Sequence, residues 1–149
     1  MRIGEICIRD VVHVERSTSI VESARLMRTH HVGNVVVIDS DARGLVPVGI
    51  VTDRDIVVQV VAVGLDPARL SVGDLMAGDL VTASEEQGIF ETIEQMQHSG
   101  IRRLPVTDKS RHLMGIVSVD DLLAMLSIQL SSLSKVPVHE RKLELAARA

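Results

Sequence analysis

The sequence has 149 residues, 46% of them hydrophobic and 24% charged, with a formal net charge of −4. That is the size and balance of one globular domain able to bury a core without metal or disulfide staples. Phe90 is the only aromatic residue and no basic run exceeds two residues, which argues against base-stacking and phosphate-backbone partners and leaves no nucleic-acid role expected.

Met1 to Val14 reads as no signal peptide, because Arg9, Asp10 and His13 break its apolar run. A strand is expected over 11–14. A helix follows, with Ser19 and Glu22 as a capping box and Ile20, Ala24 and Met27 as its buried stripe. Strands over 32–39 and 46–51 flank the polar turn Asp39-Ser40-Asp41-Ala42-Arg43-Gly44, and a second helix opens at Thr52. The link runs through Gly64-Leu65-Asp66-Pro67 and then 71–78, too short for a loose tether.

The order then recurs. A strand over 80–83 precedes a helix with Ser84 and Gln87 as its capping box and Ile89, Ile93 and Met96 as its stripe. Strands over 101–107 and 113–117 flank Asp108-Lys109-Ser110-Arg111-His112, and a helix opens at Ser118. Leu122, Leu126, Leu130 and Leu133 continue an apolar row until Pro137 interrupts it. The charged, Ala-rich stretch 139–149 reads as a surface helix or a frayed end.

The two halves hold one register. Asp10-Val11-Val12-His13-Val14 aligns with Asp79-Leu80-Val81-Thr82-Ala83; Ser19-Ile20 meets Gly88-Ile89, and Met27 meets Met96. Gly49-Ile50-Val51-Thr52-Asp53-Arg54-Asp55 then matches Gly115-Ile116-Val117-Ser118-Val119-Asp120-Asp121, with three extra residues in copy one between 40 and 48. This is an internal duplication of a β-α-β-β-α unit. The copies are expected over 5–66 and 71–134, with 135–149 as a tail.

Those two segments resemble the signature of CBS domains: Gly, two apolar residues, Thr or Ser, two variable residues, then Asp. Ile101-Arg102-Arg103-Leu104-Pro105-Val106 is similar to the middle strand of that family. The resemblance implies an α/β (α+β) fold, in which tandem β-α-β-β-α repeats pack sheet to sheet about a pseudo-two-fold axis and form two clefts. It also implies an adenosine-containing regulatory ligand (AMP, ADP, ATP or S-adenosylmethionine) and assembly as a homodimer.

The chemistry suits such a ligand. Thr52 and Ser118 stand at helix starts, where unpaired N–H groups and the helix dipole accept phosphate. Asp55 and Asp121 can accept hydrogen bonds from ribose hydroxyls. Val32, Val35, Ile101 and Leu104 offer apolar surface to adenine, beside the backbone of Asn34 and Pro105. Arg54, Arg102 and Arg103 are the cations nearest the motifs. His13 and Thr82 occupy matching positions in the first strand of each copy and join the candidate ligand-binding residues. Thr52-x-x-Asp55 and Ser118-x-x-Asp121 also fit a simple capping box with no ligand at all. Copy one has Gly33-Asn34 where copy two has Arg102-Arg103, so its cleft is expected to take less phosphorylated ligands or to stay empty; which arginine serves which site stays open.

No catalytic constellation, metal set or cofactor is expected. The histidines are scattered and read as surface or helix-end residues, and Cys7 as a small apolar one. A lone cysteine and the lack of a membrane-spanning apolar run point to the cytoplasm. The expected role is regulation of a separate effector protein, with a ligand-free dimerisation scaffold as the rival.

Overall fold

The computed structural model describes residues 1–76 and 78–148, so one residue of the linker and the last of the tail lie outside it. The chain divides into two units, Met1–Val117 and Ser118–Ala149.

In the first unit, copy one contributes α1 (Ile3–Ile6), β1 (His13–Glu15), α2 (Ile20–His30), β2 (Asn34–Ser40), β3 (Leu45–Thr52) and α3 (Asp53–Ile56), which continues as a π-helical turn, Val57–Val61. After a 3-10 turn at Pro67–Arg69 come α4 (Val72–Leu75), β4 (Ala83–Ser84), α5 (Ile89–Ser99), β5 (Arg103–Thr107) and β6 (Leu113–Ser118). The fold is mixed α/β, with two three-stranded sheets ordered β1-β2-β3 and β4-β5-β6. β1 runs parallel to β2 and β4 parallel to β5. A parallel pair needs a crossover, and α2 and α5 supply it. β2 pairs antiparallel with β3, with a register shift at Val37/Ile38 that leaves Val48 unpaired as a bulge.

Without aromatic rings, close packing falls to short branched chains. Val14, Ile20, Met27, Val35, Val37, Val51, Val60, Val72 and Leu75 form one buried cluster. In copy two, Ala83, Ile89, Met96, Leu104, Val106 and Val117 are likewise buried.

Two sequence expectations about the helices need correction. The middle of each buried stripe is Ser23 and Thr92; Ala24 is exposed and Ile93 only half-buried. A helix face admits both i+3 and i+4 neighbours, and here the small polar side chain takes the inward place. Ser19 caps α2 by accepting from the Glu22 amide at 3.1 Å. Ser84, in contrast, does not cap α5, whose N-cap is Gly88, four residues later. Gly88 is the residue in register with Ser19, whereas Ser84 stands in β4 and accepts from the Glu86 amide.

The short helices α1 and α4 each dock on the opposite copy. Ile3 and Gly4 donate amide hydrogen bonds to the carbonyls of Gln87 and Glu85, and Ile8 exchanges both backbone bonds with Ile116. Correspondingly, Val72 and Gly73 donate to the carbonyls of Thr18 and Arg16, and Ile20 donates to Leu70. Ile3-Gly4-Glu5-Ile6-Cys7 and Val72-Gly73-Asp74-Leu75-Met76 are thus equivalent arms, exchanged between the copies. Ile3 and Val72 are both fully buried at their ends. The arms explain the glycine that begins each signature. A Cβ on Gly49 would stand 2.6 Å from Met76 Cε, and one on Gly115 would stand 2.6 Å from Cys7 Sγ and 2.8 Å from the Ile8 carbonyl oxygen. Burial of Cys7 in this seat pushes its thiol pKa up.

The two polar turns also meet. His112 Nε2 lies 3.1 and 3.2 Å from the Asp41 carboxylate oxygens, and His112 Nδ1 lies 3.5 Å from Asp108 Oδ2. Its side chain is only 13% exposed, so this histidine is neither a surface nor a helix-end residue. The hydrogen bond to Asp41 leads in raising its pKa above the usual value, and Asp41 and Asp108 are held low by backbone amides and by His112.

The second unit is α6 (Val119–Ala147), capped by Ser118 and running through Pro137 without ending there. Most of it is exposed, including Leu123, Ile128, Leu130 and Leu133. Among the described residues no helix is long and apolar enough to cross a membrane.

Candidate functional site

Strand β3 presents the first candidate site. Pro47, Gly49 and Val51 are buried, whereas Val46, Val48, Ile50 and Thr52 alternate with them and are half-buried on the other face. Thr52 pairs with Asn34 of β2, which sets both candidate residues at one end of the strand pair.

At that end Asp55 folds back on Thr52. Its Oδ2 accepts from the Thr52 amide and hydroxyl, each at 2.8 Å, while Thr52 Oγ1 accepts from the Asp55 amide at 3.1 Å. Asp55 Oδ1 takes only a long 3.4 Å contact from Gln59 Nε2, so this oxygen keeps acceptor capacity for a ligand hydroxyl. The second signature has the same geometry within its own unit. Asp121 Oδ2 accepts from the Ser118 amide at 2.8 Å and hydroxyl at 2.6 Å, and Ser118 Oγ accepts from the Asp121 amide. Both signatures are therefore complete capping boxes as they stand.

Arg103 joins the first signature from copy two. A Cβ on Gly33 would stand 3.2 Å from Asp53 Oδ2 and 3.3 Å from Arg103 Nη2, so the guanidinium lies beside the start of α3. The cation that copy one lacks at Gly33-Asn34 is thus supplied across the repeat. Arg103 also lines a cavity of about 160 Å³ together with Ile50 and Val48 of β3, Leu80 and Val81 ahead of β4, Ile101, and Met76 of the exchanged arm. Its walls are mostly aliphatic, with Arg103 and Asp79 as the charged groups. This is a place for a flat, weakly polar ring with a hydroxylated or anionic group toward Thr52.

The other candidate residues fall into three groups. Val35 and Leu104 are fully buried and Pro105 is buried with them, so they are core beneath the site. Val32, Arg54 and Arg102 are exposed, and His13 is exposed with Nδ1 3.0 Å from the Val11 carbonyl. Thr82 is half-buried, its carbonyl accepting from Gln95 Nε2, and lines a second, larger cavity of about 550 Å³ that adjoins the first. Sequence reasoning passed over Met76, Asp79, Leu80 and Ile50. For Met76 the one signal was the faint match of the two arms, Ile3-Gly4-Glu5-Ile6 with Val72-Gly73-Asp74-Leu75, too short to stand out by itself. Among the described residues no group of three His, Cys, Asp or Glu side chains is placed to hold a metal ion.

The family model for the CBS domain matches residues 3–62 and 72–128. An uncharacterized protein of Methanopyrus kandleri is 36% identical over 121 residues, covering 81% of this chain and 60% of that protein. Inosine-5'-monophosphate dehydrogenase of Thermoplasma acidophilum is 36% identical over 118 residues, 79% of this chain but 22% of the enzyme. This chain therefore spans less than two thirds of either relative. Among solved structures, a CBS domain protein from Pyrobaculum aerophilum complexed with AMP aligns at TM-score 0.74 and 25% identity, over 86% of this chain and 99% of that one.

Proposed function

This chain belongs to the CBS domain family, and from that premise we propose that it is a regulatory sensor of an adenosine-containing ligand, AMP, ADP, ATP or S-adenosylmethionine. One observation carries the reading. Arg103 lines an aliphatic cavity with Ile50 and Val48 of β3 and also lies beside Gly33 and Asp53, next to the signature in which Asp55 Oδ1 takes only a long contact from Gln59. Adenine would lie against Ile50, Ile101 and Leu80, the ribose hydroxyls would donate to Asp55 Oδ1, which Thr52 holds in place through Oδ2, and phosphate would meet Arg103. Ser118 and Asp121 would serve a second site in the same roles.

Because the base pocket is built from both copies and the exchanged arm, a bound ligand bridges them. Binding energy that favours the bridged arrangement shifts its population, and a partner that reads that arrangement responds. The reading has no catalytic step, a separate effector protein, a homodimeric assembly and a cytoplasmic setting.

Thermal unfolding in the presence of each ligand tests it. A ligand at a hundred times its Kd stabilises by about 2.7 kcal/mol, a rise of several degrees at this size. Asp55→Ala should abolish the part of that shift due to the first site and Asp121→Ala the rest, with guanosine monophosphate silent throughout. If nucleotide-free protein shows no shift with any adenosine ligand, the sensor reading falls. The apolar row Leu123, Ile128, Leu130 and Leu133 exposed on α6 would then favour a dimerisation scaffold.

A further inference from the structure

The base cavity does not end at the base. It shares Val48, Met76, Gly78, Asp79 and Leu80 with the larger cavity, so the two form one continuous cleft. At roughly 3.3 Å per residue, the half-buried face of β3 from Thr52 to Val46 spans about 20 Å. An adenosine anchored by its ribose at Thr52 and Asp55 occupies the Ile50 and Val48 levels. The Val46 end lies beyond the outer edge of its base.

The chemistry of that end differs from the base pocket. The polar residues that line it are Arg16, Arg111, Thr82, Thr107 and Asp79. Arg16 is held by Asp39 through two hydrogen bonds of 2.9 and 3.0 Å, which fixes its direction and balances its charge. No ion pair is found for Arg111 among the described residues, and its backbone sits at φ 69°, a left-handed conformation that a side chain other than glycine or asparagine seldom adopts. Such an outlier beside a cavity is a reason to look for function there. Copy one's longer turn and the Val48 bulge give this end its shape.

We propose that this chamber is a second subsite, continuous with the base pocket, that binds a small carboxylate- or phosphate-bearing group through Arg111. The inference rests on the sensor reading for the position of the base. The acidic group is either a substituent on the base's outer edge or a separate small anion bound next to it, and the same guanidinium serves both.

Titration calorimetry and thermal melts on the full chain decide between these sources. The probes are AMP, N6-carboxymethyl-AMP, succinate and inorganic phosphate, on the wild type, Arg111→Gly and Arg111→Lys. Glycine accepts the left-handed turn, so the guanidinium is removed without strain. A substituent source predicts that N6-carboxymethyl-AMP binds the wild type about tenfold more tightly than AMP, and that Arg111→Gly removes this advantage while Arg111→Lys keeps part of it. A separate anion predicts that succinate or phosphate at millimolar concentration raises the melting temperature without nucleotide, and that Arg111→Gly abolishes the rise. If the substituted nucleotide gains nothing over AMP and neither anion shifts the melt, the subsite is overturned. Failure of AMP, ADP, ATP and S-adenosylmethionine alike to bind would sink the sensor reading, while the succinate and phosphate melts would still decide the chamber.

Discussion

In copy one the signature glycine faces the flexible side chain of Met76 from Cγ to Cε; in copy two it faces Cys7 and the backbone of Ile8. Both approaches are equally close, yet the neighbours differ in what they can yield. A thioether swings aside through its own rotamers, whereas a carbonyl locked in the Ile8–Ile116 bridge cannot move without breaking two backbone hydrogen bonds. Closeness by itself therefore says little about cost, which depends on the freedom of the atom being approached.

The substitution pair Gly115→Ala and Gly49→Ala puts the largest effect on this comparison. Overpacking against a fixed neighbour costs typically 1–3 kcal/mol. Gly115→Ala should fall at the upper end, about 2–3 kcal/mol in urea unfolding, and Gly49→Ala below about 1 kcal/mol. Equal losses would break the comparison, because they would mean that Met76 is as immobile as the Ile8 backbone.

A second contrast sits on the buried faces of α2 and α5. Thr92 Oγ1 donates to the Gly88 carbonyl at 2.9 Å, while Ser23 Oγ, at the equivalent position, is buried with no partner among the described residues. Thr92→Val keeps the shape and removes the bond, at an expected cost of about 1 kcal/mol. Ser23→Ala removes an unsatisfied hydroxyl and should be neutral or stabilising by a few tenths of a kcal/mol on the same grounds. If Ser23→Ala destabilises the protein as much as Thr92→Val does, the two positions are not the unlike pair they look.

The smallest effect is at the meeting of the turns. His112 has its pKa raised mainly by Asp41, with Asp108 adding to it, and Asp39, Arg43, Lys109 and Arg111 are the other charges on the same two turns. The imidazolium's contribution is complete below the ordinary histidine value near 6.5 and is lost as pH rises through the higher folded value. The lowered pKa values of Asp41 and Asp108 set the acid side, where their contribution fades as they protonate. Urea midpoints of the wild type should therefore decline as pH rises above the ordinary histidine value of about 6.5, and His112→Asn should flatten that decline. An unchanged slope in the variant would mean that the contact between turns carries no charge.

The duplication was the legible part. Thr52 and Ser118 stand out as helix caps because each closes an apolar run and has a carboxylate three residues on, and both are full capping boxes. The arms were hidden because four residues are too few to show a period, and their partners lie across the duplication. Ser84 was mistaken for a cap since it is the right residue type in the wrong register; Gly88, which caps through its backbone alone, gives no such signal. Ser23 and Thr92 escaped because polarity usually marks the outer face of a helix, and only packing shows that these two point inward. Arg103 beside Gly33 and His112 beside Asp41 are contacts between copies, set by tertiary geometry that no local pattern encodes.

The exchanged arms bear on how such a chain reaches its folded state. Ile3 finds its seat beside Gln87, more than eighty residues away, and Val72 finds its own beside Thr18. Neither half can complete itself: each ends its folding with an empty seat and an unspent arm. Released as a separate peptide, either half would look for the missing piece in a second molecule, the usual route to strand-swapped pairs. Joining both halves in one chain replaces that encounter with an internal one at a local concentration of roughly millimolar order. Duplication thus turns a reaction that depends on concentration into one that any single molecule can finish alone.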